Sequence, residues 1–487
     1  MPISALTDSS LIKTQAYING QWVDADNGAT FDVTDPATGT VIAQVADLGA
    51  AQTKLAIAAA EIAMQSWKKK TAKERSNLLR KWFELMMANQ EDLAIIMTAE
   101  QGKVIAESRG EVAYGASFLE WFAEEGKRIY GDIIPNTTAD RRSIVIKQPI
   151  GVVAAVTPWN FPNAMITRKA GPALATGCAI VLKPAAETPL SALAMAELAD
   201  RAGIPAGLFN VVTGMNAPEI GAELTSNPIV KKFTFTGSTP VGKMLMEQCA
   251  KTVKRTSMEL GGNAPVIVFD DADIDKAVAG AIGTKFRNAG QTCICANRLI
   301  VQDTIYDEFV AKLTAKVNEF TVGNGFDSAT TIGPLITQQA VAKVDSLVAD
   351  AAAKGATITT GGKIDSAGDH FYQPTVLTNL SADMRIAKEE IFGPVAPVFK
   401  FSTEEEAIAM ANDTEFGLAS YIFTENMSRT WRVAEAIDYG MVGVNEVAIS
   451  SEVIPFGGMK QSGQGREGSK YGLDDYLEIK YICIGGL

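Results

Sequence analysis

The chain carries a single histidine in 487 residues, and that scarcity removes whole classes of chemistry. A Ser-His-Asp or Cys-His hydrolase would rest on His370 alone, which lies in the polar stretch SAGDHFYQP and reads as a surface loop residue. A histidine-rich zinc site is excluded, and the five cysteines, at positions 178, 249, 293, 295 and 483, lack the paired CxxC spacings of structural zinc. No metal is expected. Any general base must therefore be a carboxylate, a lysine or a tyrosine. So odd and sparse a cysteine set is also unlike the disulfide framework of a small secreted domain, and reduced thiols are expected.

Long apolar runs are missing too. No stretch approaches the ~20 residues of a membrane span, and the opening MPISALTDSSLIKTQAYING lacks the basic-then-apolar order of a signal peptide, so a soluble, cytoplasmic protein is expected. Positive charge is in deficit, with a formal net charge of −12 and no Lys/Arg cluster, which argues against nucleic acid and anionic lipid as partners. What remains is an ordinary globular composition, 47% apolar and 21% charged. Single cores stop growing at roughly 250 to 300 residues, so two or three domains are expected.

The order of patterns places those domains. Asn19-Gly20 sits between two β-rich runs as a hairpin signal. Residues 50 to 67, 71 to 89 and 91 to 127 have helical spacing, the last stretch punctuated by Gly102, Gly110 and Gly115. From about residue 150, short runs such as GVVAAVTP, AIVLKP, FNVVTG and KKFTFTG alternate with helical segments, which predicts an α/β domain with a mainly parallel sheet. The alternation resumes after ELGGNAPVIVF and predicts a second α/β domain. RRSIVIKQP at 141 to 149 and DYLEIKYICI near the end alternate as half-exposed strands outside both domains, and such strands could pair with another subunit.

Cysteine is the strongest nucleophile on offer, with a few per cent thiolate at neutral pH even at an ordinary pKa of about 8.5. In RNAGQTCICANR, small and polar residues precede Cys293, so the segment reads as a helix end or tight loop that presents a thiol; two buried structural thiols are the alternative. Cys178, Cys249 and Cys483 lie in apolar runs and read as packing residues. FTGSTPVG at 235 to 242 follows a strand and opens a helix, the setting in which backbone N–H groups hold a phosphate, though a plain turn fits as well. Lys183 in VLKPAAETP ends a strand, either to meet a ribose or phosphate oxygen or as a solvated charge. Glu259 in MELGGNAP sits at a strand end beside two glycines, and the prolines of TPWNFP fix the backbone around Asn160.

Taken in order, TPWNFP, LKPAAETP, FTGSTPVG, ELGGNAP, GQTC, EEIFGP and PFGGMKQSGQGREG resemble the aldehyde dehydrogenase superfamily across nearly the whole chain. AMITRKAG, KFRNAGQTCICANR, NDTEFGLASY and the ending GREGSKYGLDDYLEIKYICIGGL are similar to its succinate-semialdehyde branch and the related glutarate-semialdehyde enzymes. The resemblance implies a Rossmann-like cofactor domain at 1–140 and 150–258, a catalytic domain at 259–450, and a small β oligomerisation element at 141–149 and 451–487. It implies Cys293 as nucleophile, Glu259 as general base and Asn160 as oxyanion donor. Trp159, Lys183, Ala186, Gly237, Ser238, Leu260, Glu390 and Phe392 then line NAD or NADP, and Arg168, Arg287 and Ser450 hold a substrate carboxylate. The implied activity is oxidation of succinic semialdehyde, or of glutarate semialdehyde or another short aldehyde, through a hemithioacetal and a thioester. A cofactor-free thiol hydrolase or acyl transferase is the reading from another class.

Two departures stand out: Ala186 occupies the position where related enzymes carry Glu, Ser or Thr, with Glu187 one place later, and Val447 stands where close relatives tend to have glycine. The resemblance also implies a homotetramer or homodimer. Cys295, one residue from the nucleophile, is either a packing residue or a redox partner whose disulfide to Cys293 would be strained.

Overall fold

A computed structural model describes residues 3–487. Among them an eight-stranded sheet runs in the order Gly463–Gln464, Arg255–Glu259, Val230–Thr236, Val152–Val156, Ile180–Lys183, Phe209–Val211, Ala16–Ile18, Gln21–Val23. Its five central strands are parallel. Parallel neighbours need crossovers, and the helices Ala164–Thr176, Pro189–Ala202 and Thr239–Ala250 join neighbouring strands, while Ala217–Ser226 carries the chain back across the sheet. Burial on both faces explains why VVAAV and IVLK carry no polar alternation. The predicted hairpin is present, with Asn19 and Gly20 both at positive φ, 54° and 75°.

A second sheet of seven strands follows the order Thr357–Thr360, Thr375–Thr378, Val395–Phe401, Ala296–Gln302, Ala264–Val268, Ala419–Phe423, Met441–Val444, parallel except for its first pair. Each sheet has its own buried core, so the chain comprises two α/β domains as expected. The long helical stretch divides into Gln90–Gln101 and Ile105–Glu125. Gly102 makes the break, at φ 90°, where a Cβ would come within 2.6 Å of Pro334 and 2.8 Å of Pro36.

The two half-exposed strands pair with each other. Leu477–Gly485 lies antiparallel to Arg141–Pro149 over nine residues, and Asp132–Ile134 completes a three-stranded sheet. This corrects one expectation: Cys483 is exposed, because it lies on an outer strand that leaves both faces uncovered beyond Leu477. Ile479 and Tyr481 are 70% and 59% exposed there. Among the described residues no helix is long and apolar enough to cross a membrane.

Candidate active site

The C-terminal ends of the parallel strands gather the sequence-marked residues at one edge of the first sheet, where crevices of open α/β sheets form. Glu259 is the last residue of its strand and pairs in register with Thr236, after which the chain turns through Gly237 and Ser238. Lys183 ends the strand paired with Val156, and Trp159 and Asn160 follow Val156 directly. From the second domain come Cys293, Glu390 and Phe392. Trp159, Asn160, Thr236, Gly237, Ser238 and Glu259 wall a cavity of about 280 Å³ together with these three, while Lys183 lies outside its lining. A second cavity of about 350 Å³, between Arg298, Tyr306 and Asp413, contains none of these residues and lies apart from this chemistry.

Cys293 is presented by a strained turn, which explains the small and polar residues before it. Asn288 and Ala289 are held left-handed, at φ 50° and 54°, and Gly290 comes so close to Gly393 that a Cβ would meet its carbonyl oxygen at 2.2 Å. Gln291 pins this turn: its amide donates to Asn288 O and Pro334 O at 3.1 and 3.3 Å, and its oxygen accepts from Ile336 N at 3.0 Å. Asn160 is tied to the same turn. Its Nδ2 donates to Gln291 O at 3.0 Å, leaving the second amide proton free, while its backbone oxygen accepts from Asn288 Nδ2 at 3.1 Å and Lys103 Nζ at 2.7 Å. Lys103 in turn pairs with Glu111, whose carboxylate accepts from Asn163 N at 2.9 Å. Neither Lys103 nor Glu111 was visible as a site residue in the sequence, because their partners lie 57 and 52 positions away.

Burial dominates the electrostatics. It pushes the Cys293 thiol up to about 12, against the opposing pull of the Arg168 cation. Glu259, 3% exposed and with Oε2 unpartnered, is raised well above the ordinary carboxylate range by burial and then by neighbouring Glu467. Burial acts on Glu467 in the same sense, yet Lys169 and Arg168 hold it below its ordinary value, so of the two carboxyls Glu259 keeps the proton. Lys169 reaches Glu467 and donates to Thr236 Oγ1 at 2.6 Å, and Arg168 Nε lies 3.0 Å from the other Glu467 oxygen. Glu467 was quoted in a motif but given no role.

The three residues expected to hold a carboxylate are placed differently from one another. Arg168 is buried, paired with Glu467, and sandwiched between the rings of Phe456 at 3.9 Å and Phe118 at 5.3 Å. Arg287 is exposed, lies over the ring of cavity-wall residue Phe161 at 5.1 Å, and forms no ion pair among the described residues. The Ser450 hydroxyl bonds the hydroxyl of Tyr114, a residue that in the sequence reads only as part of a helix. Val447 turns away and packs over Gly280, whose added Cβ would meet it at 3.1 Å.

On the cofactor side, Lys183 is only 5% exposed, which rules out the solvated-charge reading. Its Nζ donates to Pro184 O at 3.2 Å, and burial lowers its pKa. Ser238 caps the helix Thr239–Ala250 without using its side chain, and Gly237 stands where a Cβ would strike the Phe235 ring at 2.4 Å. Gly242 allows that helix to approach Leu260, 2.4 Å from where its Cβ would be. Glu390 accepts from Gly262 N at 3.0 Å and burial raises its pKa to about 7. Phe392, at φ 55°, meets Trp159 edge-on with centroids 5.7 Å apart. Ala186 is half-buried and Glu187 exposed. His370 is a half-buried loop residue outside this cavity.

The description "Aldehyde dehydrogenase family" matches residues 22–482. The chain belongs to the aldehyde dehydrogenase family. It is 62% identical over 480 residues to a succinate-semialdehyde dehydrogenase [NADP(+)] of Escherichia coli strain K12, covering 99% of both chains. It is 61% identical over 482 residues to a glutarate-semialdehyde dehydrogenase of Pseudomonas aeruginosa, covering 99% of this chain and 100% of that one. Among solved structures, a crystal structure of an E. coli NADP-dependent enzyme superposes with a TM-score of 0.98 at 61% identity, over 99% of this chain and 100% of that one. For an aldehyde dehydrogenase the geometry is apt: a thiol and a carboxyl share one cavity, beside a helix N-terminus whose N–H groups are free for a dinucleotide phosphate. The buried Lys183, with one backbone oxygen as its partner, and Glu390 are hydrogen-bonding groups of the kind that ribose hydroxyls need.

Proposed function

We propose that this aldehyde dehydrogenase oxidises a short aldehyde bearing a far carboxylate, succinic semialdehyde first, with NAD or NADP. The observation that carries the substrate is Arg287, an arginine that has no ion pair among the described residues and lies over a cavity-wall ring, in a chain of net charge −12. Arg binds carboxylate in bidentate fashion. Arg168 and Ser450 complete the anion end, with Tyr114 orienting the serine hydroxyl.

Cys293 attacks the aldehyde carbon as thiolate. The oxyanion that forms is met by the free Nδ2 proton of Asn160 and the backbone N–H of Cys293, donors worth roughly 3 to 4 kcal/mol each in comparable sites. When bound, the nicotinamide supplies the hydride acceptor; Trp159, Gly237, Ser238, Leu260, Glu390, Phe392, Lys183 and Ala186 are the residues that would hold the dinucleotide. Cys293 is left carrying a thioester. Glu259 takes a proton from water, the oxygen attacks the thioester carbon, and the acid leaves as the Cys293 sulfur is freed. The nucleophile and the base thus act in separate half-reactions, which is how the site operates without histidine.

The first sheet with its helices is assigned to cofactor binding, residues 259–450 to catalysis, and the three-stranded sheet to oligomerisation. The exposed Ile479 and Tyr481 support a homotetramer or homodimer, which light scattering on the purified chain tests; a monomer contradicts it. A cytoplasmic location is part of the same proposal. The deciding assay follows reduced nicotinamide by absorbance with succinic semialdehyde, glutarate semialdehyde and butanal, each with NAD and NADP. Acid formed without either cofactor would instead support a thiol hydrolase.

A further inference from the structure

The mechanism leaves one buried reactive pair unused. Lys285 ends the helix Ile274–Lys285 with 0% exposure, and Cys295 is 5% exposed. The lysine amine lies 3.3 Å from the Cys295 sulfur, its only hydrogen-bond partner among the described residues, and no carboxylate pairs with it. The sulfur in turn faces two acceptors, Lys285 O at 3.4 Å and Ala296 O at 3.6 Å, which take the thiol proton and leave a lone pair toward the amine. An ammonium buried without an ion pair is costly, and burial lowers the Lys285 pKa against the pull of Cys295 and Glu390. An amine that sheds its proton more readily than in water, 3.3 Å from an oxidisable sulfur, is a nucleophile beside a latent electrophile.

We propose that Lys285 and Cys295 form a redox cross-linking site that responds to hydrogen peroxide. The Cys295 thiol is oxidised to sulfenic acid by two electrons while one peroxide is reduced to water. The Lys285 amine then attacks that sulfur: an S–N bond forms, the S–O bond breaks, and the hydroxyl leaves as water with a proton from the amine. An added thiol reverses the step by attacking sulfur, the amine leaving with the thiol proton, and a second thiol frees Cys295 while the two added thiols depart as a disulfide. The cross-link closes the segment between positions 285 and 295 into a ring, and that ring contains Asn288, Gln291 and Cys293. Bonding requires the two atoms to approach well inside 3.3 Å, which pulls on the turn whose Cys295 N–H bonds Thr292 O at 3.2 Å and whose Ile294 carbonyl accepts from Tyr421. Cys293 is thereby displaced from the Asn160 donor without itself being oxidised. The loss of turnover rests on the function proposed above, whereas the cross-link does not.

The test is peptide mapping of the full-length protein after mild peroxide, under non-reducing conditions. The expected result is a peptide pair joined at Lys285 and Cys295, lighter than the sum of its parts by two hydrogens, with trypsin cleavage after Lys285 blocked, Cys293 still open to alkylation, and all of it reversed by dithiothreitol. Lys285→Met should abolish the cross-link and carry Cys295 on to sulfinic acid, so that dithiothreitol no longer restores the thiol. In the unaltered protein, a Cys293–Cys295 disulfide, a Cys295 sulfinic acid with Lys285 free, or an unmodified Cys295 would each overturn the proposal. Mapping of the unaltered protein decides the matter even if Lys285→Met fails to fold.

Discussion

The wall of the cavity and the group of residues behind Phe161 and Met165 are built on different plans. On the wall, at the reacting end, Asn160 Oδ1 and Glu259 Oε2 are buried with no hydrogen-bond partner among the described residues, and Asn160 has a spare amide proton. Behind it, at the far end, charge is already balanced: Arg168 is ion-paired with Glu467 and lies over two rings, though its Nε and Nη2 make no hydrogen bond, and Ser450 bonds Tyr114; Arg287 is exposed and has no ion pair among the described residues. The contrast supports the proposal of chemistry at the first end and recognition at the second. It also divides the arginines, since removing Arg168 uncovers Glu467 and through it changes the proton balance at Glu259, while removing Arg287 changes only the anion contact.

Breaking the reacting end has the largest effect. Cys293→Ala should leave no measurable turnover on any aldehyde, checked by steady-state reduction of the cofactor. Glu259→Gln should keep a burst of reduced cofactor near one per site while slowing steady state by about 10²- to 10⁴-fold, as loss of a general base does. Equal loss of burst and turnover would remove Glu259 from the base role.

A pH profile sharpens the same comparison. Glu259 works as a base only when ionised, and burial raises its pKa, so deacylation should fall as pH drops through a range well above the ordinary value of about 4.3. Single-turnover measurements with preformed thioester should show that limb, and Glu259→Gln should lack it. In the cofactor-free protein, alkylation of Cys293 should speed up about tenfold per pH unit towards a pKa of about 12. The smallest effect belongs to the support of the far end: Tyr114→Phe should lower kcat/KM for succinic semialdehyde by about five- to tenfold, the worth of one hydrogen bond of about 1 kcal/mol or slightly more, and leave butanal unchanged.

Much of this architecture was legible in the chain itself. The helix Ala50–Trp67 coincides with its predicted range, and the strand ends at Lys183, Thr236 and Glu259 follow from β-branched runs stopping at Pro and Gly. What was hidden shares one cause, which is burial that a linear sequence does not display. Lys183 is buried with only the next residue's backbone oxygen as partner, Lys103 reaches Asn160 across 57 positions, and Lys285 is buried against Cys295. A lysine looks the same in sequence whether solvated or buried. Cys483 erred in the other direction, because local apolarity does not tell whether an outer strand is covered at all.

The division between a reacting end and a recognising end is tested most directly by the ratio of kcat/KM for succinic semialdehyde to that for butanal in Arg287→Ala. Leaving the substrate anion without its charged partner costs on the order of 2 kcal/mol or more, so the ratio should fall by tens-fold while butanal turnover holds. Equal losses on both substrates would contradict the account.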